Sequence, residues 1–477
     1  MTKSGCGSMK LNKQKLMTIY TIFIFIALAS LDNAVIGVIP PLFSSIAKDF
    51  NIEISGLGVV SAVTIIATSV SSLVWGYLAG KYRRKRLIII GTLIWSASVY
   101  FTAHSRNYHE LIVYQLLTGI GLGCIASIGF SVLTDYIPKK WLGMLMSLWG
   151  LSQGFGGIAG SVMASLIAPN ADWRTPFKII SILGTVFIFL YFFIKEPEKG
   201  AAEPELKQLI EEGYEYNYKI KISHIFDILK KKSTKWLLMQ GFFMSITMGT
   251  LVWLPTLYIA KIEVQGYSSD TALVAAGYLY AILQLGGLFS VYFGYLGDKL
   301  QKRTYRGRAF LGAASMAVAM PLYIAMFFVP MNNLQLPDST NPIEVFWSLI
   351  KDILTNPWML SIFILAVGAT MAQSAHSPNW LALITDLNLP EHRATVFSLS
   401  NLLNGIGKAL GNVLLGFVLA FVSLKFDQPE NYIVTLTIFQ LFLIPSFICY
   451  MMISKCSGRD IRNIKSILKK RSRAQAR

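Results

Sequence analysis

The chain has 477 residues, 54% of them hydrophobic and only 14% charged, with a mean hydropathy of +0.52. A water-soluble chain of this length needs more polar surface to cover its core, so the composition excludes an ordinary soluble domain and makes lipid the solvent. The formal net charge of +18 does not signal nucleic acid, because the basic residues fall between long apolar stretches and form no single face.

A bilayer span needs about 20 mostly apolar residues. Twelve such segments follow one another, at 16–42, 55–79, 87–104, 110–137, 141–168, 176–195, 235–259, 270–297, 309–330, 357–386, 394–422 and 432–454. No small-residue cleavage site follows the first run, which reads as an uncleaved first helix. The expected fold class is an all-α membrane protein of twelve transmembrane helices in two six-helix bundles. Its divisions are a first bundle at 1–195, a linker at 196–234 where acids and lysines replace the apolar signal, a second bundle at 235–454 and a basic tail at 455–477.

The first span carries Asp32, the one acid well inside the first six spans. A carboxylate at depth costs roughly 2.5 to 3.5 kcal/mol on insertion scales. It therefore faces a cavity or a partner, and because protonation removes much of the cost it is the first candidate for a coupling site. The alternative is a structural acid held by neighbouring backbone. Gly76 to Lys81 ends the second span and leads into the basic run that contains Arg84. Gln115 in the fourth span and Gln153 in the fifth can offer hydrogen bonds to a solute or hold helices together. The glycines around Gly119 and Gly154 permit close helix approach; no strand precedes them, so they form no nucleotide loop.

In the second half, Gly294, Asp298 and Lys299 repeat the ending of span two. Span ten holds His376, Pro378, Asn379 and Trp380; Pro378 removes a helix hydrogen bond, and broken helices at membrane depth line sites. His376 is a second candidate for protonation or simply a satisfied donor. Asn379, Trp380 and Asn404 are placed with the solute contacts, with helix packing as the alternative. Lys408 falls near the middle of span eleven, too deep to snorkel, and needs water, an anion, a carboxylate or the carbonyls of an interrupted helix. The four cysteines, Cys6, Cys124, Cys449 and Cys456, show no CxxC pair or metal-ligand spacing, and no cofactor or metal is expected.

Most of the 43 Lys and Arg fall on one side of this topology. The positive-inside rule then puts both termini in the cytoplasm, and the expected location is the cell membrane. The tail from Lys455 to Arg477 carries a single acid, Asp460, and reads as contact with anionic headgroups. The two halves also repeat. GYLAGK from Gly76 matches GYLGDK from Gly294, and SLWGLSQGFGGIAGSV from Ser147 aligns without gaps to SLSNLLNGIGKALGNV from Ser398, with Gly154/Gly405, Gly156/Gly407 and Gly160/Gly411 identical. Six spans per repeat imply two bundles related by an axis along the membrane normal.

On these features the chain resembles the major facilitator superfamily over nearly its whole length. That family's loop between spans two and three runs G-x-L-a-D-[RK]-x-G-R-[RK]; here it reads Gly76-Tyr77-Leu78-Ala79-Gly80-Lys81-Tyr82-Arg83-Arg84-Lys85, with Gly80 in place of the acid. The second copy keeps Asp298. The resemblance implies gating roles for Gly76, Lys81, Arg84, Gly294, Asp298 and Lys299. The likeness is strongest to the Spinster-like branch, through Asp32, Gly37 and Pro40, Gly119 to Asp135, and NWLALITDLNLPEHRAT from Asn379 to Thr395. The chain departs from that pattern at Gln115 and Leu122, where an Arg and a Glu are expected.

What the resemblance implies is a secondary active or facilitative transporter of a small amphipathic anion of the lysophospholipid kind, working by alternating access as a monomer, without nucleic acid, and with protons as the coupling ion under one scheme. Proton-coupled efflux of drugs or metabolites and carriage of organic anions or sugars remain open. No signature gathers a nucleophile with a base, so an enzyme is not expected, and a two-fold repeat favours rocking over a channel.

Overall fold

A computed structural model describes residues 4–129, 132, 142–194, 231–337, 339–388 and 390–475. All regular structure in them is helical. The linker at 196–230, Asp135 of the Spinster-like stretch and the side chains of Lys81, Gln153 and 391–395 lie outside the described residues.

Eleven segments among the described residues are long and apolar enough to cross a membrane, and they coincide with eleven of the twelve expected spans. The remaining one, 87–104, is helix α4 (Arg84–Thr102). Arg84, Lys85 and Arg86 occupy its first turn and shorten its apolar stretch. The first half also contains α1 (Ser4–Val38), α2 (Phe43–Phe50), α3 (Ser55–Lys81), α5 (Tyr108–Cys124), α6 (Leu142–Ile167) and α7 (Thr175–Phe192). Several spans are built from two helices. Pro40 and Pro41 end α1 through a 3₁₀ turn at Pro40–Leu42, and α5 runs on into a π-helical turn at Ile125–Gly129.

The second half holds α8 (Lys232–Thr250), α9 (Leu254–Glu263), α10 (Ser269–Leu283), α11 (Ser290–Arg303), α12 (Gly307–Phe328), α13 (Pro342–Thr355), α14 (Pro357–Ser374), α15 (His376–Leu387), α16 (Pro390–Val422), α17 (Glu430–Gln440) and α18 (Leu443–Gln475). The glycine pair Gly286–Gly287 separates α10 from α11, and Ala375, three residues before Pro378, separates α14 from α15. Helix α18 does not stop at 454. It runs on through the basic tail to Gln475, and its Ile461 packs into the core with Tyr450 and Ile453.

The stretch between the ninth and tenth expected spans contains α13. Asn341 caps its start by accepting from Ile343 N, and Asn356 caps α14 by accepting from Trp358 N. Buried Asp352 ties the helix to the preceding loop by accepting from Gln335 N (2.9 Å). Burial raises the Asp352 carboxyl above its ordinary value, while the Gln335 bond and Lys351 pull it back.

The described residues fall into two compact units. One comprises the chain up to Ile39 and from Ile66 to the end of the first half; the other comprises Pro40–Ile65 and the second half. In the first unit α1, α4, α5 and α7 enclose a core of Phe25, Leu28, Trp75, Ile128 and Tyr191. In the second, α8, α12, α15 and α18 enclose Leu237, Ala313, Met316, Leu383 and Tyr450. The units divide within the linker at 196–234, and they depart from the two repeats at 40–65, first-repeat sequence packed among second-repeat helices. There Phe43 meets Trp253 edge-on at 4.7 Å, and Ala62 and Ile65 pack on Ala409.

Candidate functional site

In the first unit α1 lies along α6 so closely that glycine is required at the crossing. A Cβ at Gly156 would overlap the carbonyl of Ser30, one at Gly160 that of Ala34, and one at Gly37 that of Gly157. Such small-residue crossings let two backbones meet without intervening side chains. Asp32 stands between Ser30 and Ala34 in sequence and is 6% exposed. Its Oδ1 is buried with no hydrogen-bond partner among the described residues. Neighbouring Asn33 turns its amide back on its own helix, donating to Ala29 O (2.8 Å), and leaves Asp32 unaided.

The second unit repeats this crossing with α8 and α16. A Cβ at Gly411 would overlap Ile246 O, one at Gly249 would overlap Lys408 O, and one at Gly407 would come within 2.6 Å of Phe242 O. The glycines that align in sequence therefore make equivalent contacts, and the correspondence extends to their partners: Ser30 to Phe242, Ala34 to Ile246, Gly37 to Gly249. It follows that Met244 occupies the place of Asp32, and Lys408 the place of Gly157. Lys408 gives its backbone to the crossing and leaves its side chain exposed. The ammonium has no hydrogen-bond or ion-pair partner among the described residues, so it caps no carbonyl of an interrupted helix there.

Other expected contacts of a solute are placed in packing. Gln115 is fully buried, its Nε2 donating to Thr102 Oγ1 (3.2 Å) across α4 and α5. Asn379 is fully buried; its amide donates to Ala375 O (2.8 Å) and Phe293 O (3.2 Å), holding α15 against α11. Trp380 is 5% exposed and donates weakly to Leu237 O (3.4 Å). With its nitrogen turned toward two carbonyls, Asn404 donates to Gly241 O (3.1 Å) and Ser400 O (3.2 Å), and so ties α16 to α8. These four act as helix-to-helix links.

His376 opens α15 at the break in span ten. Its Nδ1 lies 2.6 Å from the hydroxyl of buried Tyr450, and its ring stands between Tyr450 and Trp380 at 5.9 and 6.1 Å. One residue before the break, Ser374 ends α14, and beside it Gln373 accepts from the Tyr323 hydroxyl (2.6 Å). Sequence reasoning gave Tyr450, Tyr323 and the Trp253 to Asn412 hydrogen bond (3.0 Å) no role. A lone tyrosine or tryptophan in an apolar run carries no pattern that marks its partner.

The two gating segments differ. In the second repeat Arg308 of α12 bridges Asp298 of α11 (2.6 Å) and Asp386 of α15 (3.3 Å), and Gln301 joins Asp386 (3.2 Å). Asp386 is the acid of the NWLALITD stretch, and Arg308 closes the basic run after Lys299; that common setting was the only signal that they meet. Lys299 is exposed, and Gly294 faces Pro378, which a Cβ would meet at 3.4 Å. In the first repeat Gly76 has open space, with Ser127 4.0 Å from where its Cβ would stand; Arg84 is buried at the start of α4.

The comparisons with known proteins agree with this architecture. The family model described as Major Facilitator Superfamily matches residues 22–336. The chain is 23% identical over 381 residues to the 4-hydroxybenzoate transporter PcaK of Acinetobacter baylyi, covering 74% of each chain. It is 26% identical over 166 residues to Protein spinster of Drosophila melanogaster, covering 34% of this chain and 27% of that one. Among solved structures, a bacterial homolog of the human lysosomal transporter Spinster, in an inward-facing and unoccupied conformation, superposes with a TM-score of 0.70 at 17% identity, covering 93% of this chain and 98% of the other.

Proposed function

We propose that this chain, which belongs to the Major Facilitator Superfamily and is an integral membrane transporter of small organic solutes rather than an enzyme, carries an amphipathic organic anion whose charged group meets Lys408. The observation that carries the reading is the side chain of Lys408, exposed and without a partner among the described residues, at the middle of a span. An ammonium at that depth is stable only beside water or an anion, so its surroundings are a wet cavity and its natural ligand is a carboxylate or phosphate. The likeness to Spinster proteins favours a single-chain phospholipid or sphingoid phosphate.

Alternating access is the mechanism, with Asp32 as the proton carrier. A protonated Asp32 is tolerated where it lies; an ionised one needs water or a cation, so a solute that favours one of these two forms biases the cycle. Differential binding of this kind is what a coupled carrier requires. The segment 40–65 is the mobile closure on this reading, because its contacts are with second-repeat helices although its sequence belongs to the first. Joining Ala62→Cys to Ala409→Cys by a disulfide should stop flux, and reduction should restore it. His376 is the second candidate proton site, and the Arg308 cluster is the gate at the opposite end.

The termini and 196–234 are assigned to the cytoplasm of a cell-membrane protein that works as a monomer. Basic side chains of the tail then meet anionic headgroups. Ser233 is fully buried and unsuited to labelling; Lys235→Cys, at an exposed position, should react only from the inside and Asn332→Cys only from the outside.

The decisive experiment compares wild type and Lys408→Met by thermal shift with a monoacyl glycerophosphate and with the uncharged monoacylglycerol of the same chain length. A folded variant that loses the shift with the phosphate alone supports the reading. Equal shifts in both proteins overturn it. A second reading, transport of a compact aromatic or dicarboxylic acid, is favoured by similarity to proteins named for 4-hydroxybenzoate and cis,cis-muconate transport. It uses the same lysine and is distinguished by a shift with those acids and none with the monoacyl phosphate.

A further inference from the structure

Helix α13 (Pro342–Thr355) has three faces where a loop helix in water has two. At 100° per residue, Val345, Leu349, Asp352 and Ile353 fall on one side and are buried against the rest of the unit. Glu344, Lys351 and Thr355 form a second sector, exposed and polar. The third sector runs Ile343, Trp347, Ile350 and Leu354, at the i, i+4, i+7, i+11 spacing of one stripe. Ile343, Trp347 and Leu354 are 69%, 64% and 72% exposed. Large apolar side chains at that exposure and that regularity are not the scatter of an ordinary surface.

The stripe leads into a helix long and apolar enough, with its continuation, to cross a membrane. Asn356 joins α13 directly to α14, a span, where Trp358, Leu360 and Ile364 are exposed in turn. Tryptophan is favoured at the level of the headgroups, where an apolar ring and a polar N–H both find partners. An interfacial helix needs one face in the acyl region and charged residues beside it in water; Lys351, about 40° from Trp347 on the wheel, is placed to reach phosphate. A second copy of the chain is a poorer occupant. Four side chains on one fourteen-residue helix offer much less than the roughly 800 Å² per partner of a standard protein interface.

We infer that α13 is a membrane-interface helix, with the Ile343, Trp347, Ile350 and Leu354 stripe sunk into the leaflet at the end of α14 and Lys351 at its headgroups. It fixes the loop between α12 and α14 to the bilayer, so that the helix is held at three surfaces: protein, lipid and water.

The test places single nitroxide labels at Trp347→Cys, Leu354→Cys, Lys351→Cys and Thr355→Cys, in full-length protein with Cys6, Cys124, Cys449 and Cys456 changed to Ala, in phosphatidylcholine and phosphatidylglycerol vesicles. The ratio of collisions with oxygen to collisions with a water-soluble nickel complex should be at least threefold higher at 347 and 354 than at 351 and 355. Equal ratios at all four sites overturn the inference. So does dipolar broadening at 347 that vanishes on dilution with unlabelled protein, which would mark a second copy. Should the cysteine-free chain fail to fold, Trp347→Phe in the otherwise unaltered protein gives the same answer. The emission lost in that variant should be quenched by brominated lipid and spared by acrylamide, and the reverse pattern overturns the inference.

Discussion

The crossing of α1 with α6 and the crossing of α8 with α16 are built alike and charged unlike. In both, glycines seat one backbone on the carbonyls of the other: Gly156 and Gly160 on Ser30 and Ala34, Gly407 and Gly411 on Phe242 and Ile246. Within that common frame the first pair holds a buried carboxyl on its first helix, and the second holds an exposed ammonium on its second. The lesson is that the repeat preserves what packing demands, while the chemistry lies where the copies part: Asp32 against Met244, Lys408 against Gly157. On equivalent scaffolds the two copies thus differ in charge, a carboxyl in the first and an ammonium in the second.

The largest expected effect falls on the shared frame. Gly160→Ala and Gly411→Ala each put a Cβ into a backbone carbonyl that has no rotamer to escape by. Each should cost about 3 kcal/mol or more, beyond ordinary overpacking because backbone must move. The fraction of protein recovered as a monodisperse peak from detergent should fall sharply, and to a similar extent in both. Gly154→Ala, where nothing lies within 4 Å of the new carbon, is the control and should be recovered normally. A large difference between positions 160 and 411 would break the structural half of the comparison.

Next in size is Lys408→Met, which keeps the length and apolar stem of the side chain and removes the charge. The glycine contacts use only the backbone of this residue, so the variant should fold. Its affinity for anionic ligands should drop at least tenfold, or about 1.4 kcal/mol, with uncharged analogues unaffected. Asp32→Asn is smaller in magnitude and different in kind. Asparagine matches the shape of the protonated acid, so folding and maximal flux should stay within a few fold of wild type, while the dependence of flux on pH disappears. A pH profile unchanged in Asp32→Asn would move the coupling site, with His376 next; its hydrogen bond to Tyr450 would then have to open during the cycle.

How far the sequence reveals all this follows from what hydropathy measures. The spans, the duplication and the break before Pro378 are legible because apolar length, glycine identity and a missing N–H are properties of the chain itself. Which side of a span a residue faces is not. Gln115, Asn379 and Trp380 lie at membrane depth like Lys408, and helices apolar all round present no polar face from which direction can be read. The structure turns those three inward and Lys408 outward. Helix α13, between the ninth and tenth spans, is illegible for a related reason: its apolar residues serve two faces at once, so the alternation that marks a surface helix is blurred. The Asp298, Arg308 and Asp386 cluster joins three helices, and although Asp298 and Asp386 each sit in a motif, neither motif names Arg308 as the partner that joins them.

The smallest effect tests the correspondence of Lys408 with Gly157. If the two positions are equivalent, the side-chain direction at 157 must be open, as it is at 408, even though the backbone there is the surface on which Gly37 rests. The geometry agrees: a Cβ at Gly157 would meet only Asn33 O, at 3.9 Å, an ordinary contact, whereas one at Gly37 would overlap Gly157 O. Two glycines that touch across the crossing thus have different requirements. Gly37→Ala should lose most folded protein. Gly157→Ala should leave it intact, or raise stability by up to about 1 kcal/mol, since alanine gains over glycine in a helix interior. Thermal melts of the two variants decide it. If Gly157→Ala were as damaging as Gly37→Ala, residue 157 would be packed on its side-chain face, and Lys408 could no longer be taken as the substituent that the second repeat adds to an open position of the common frame.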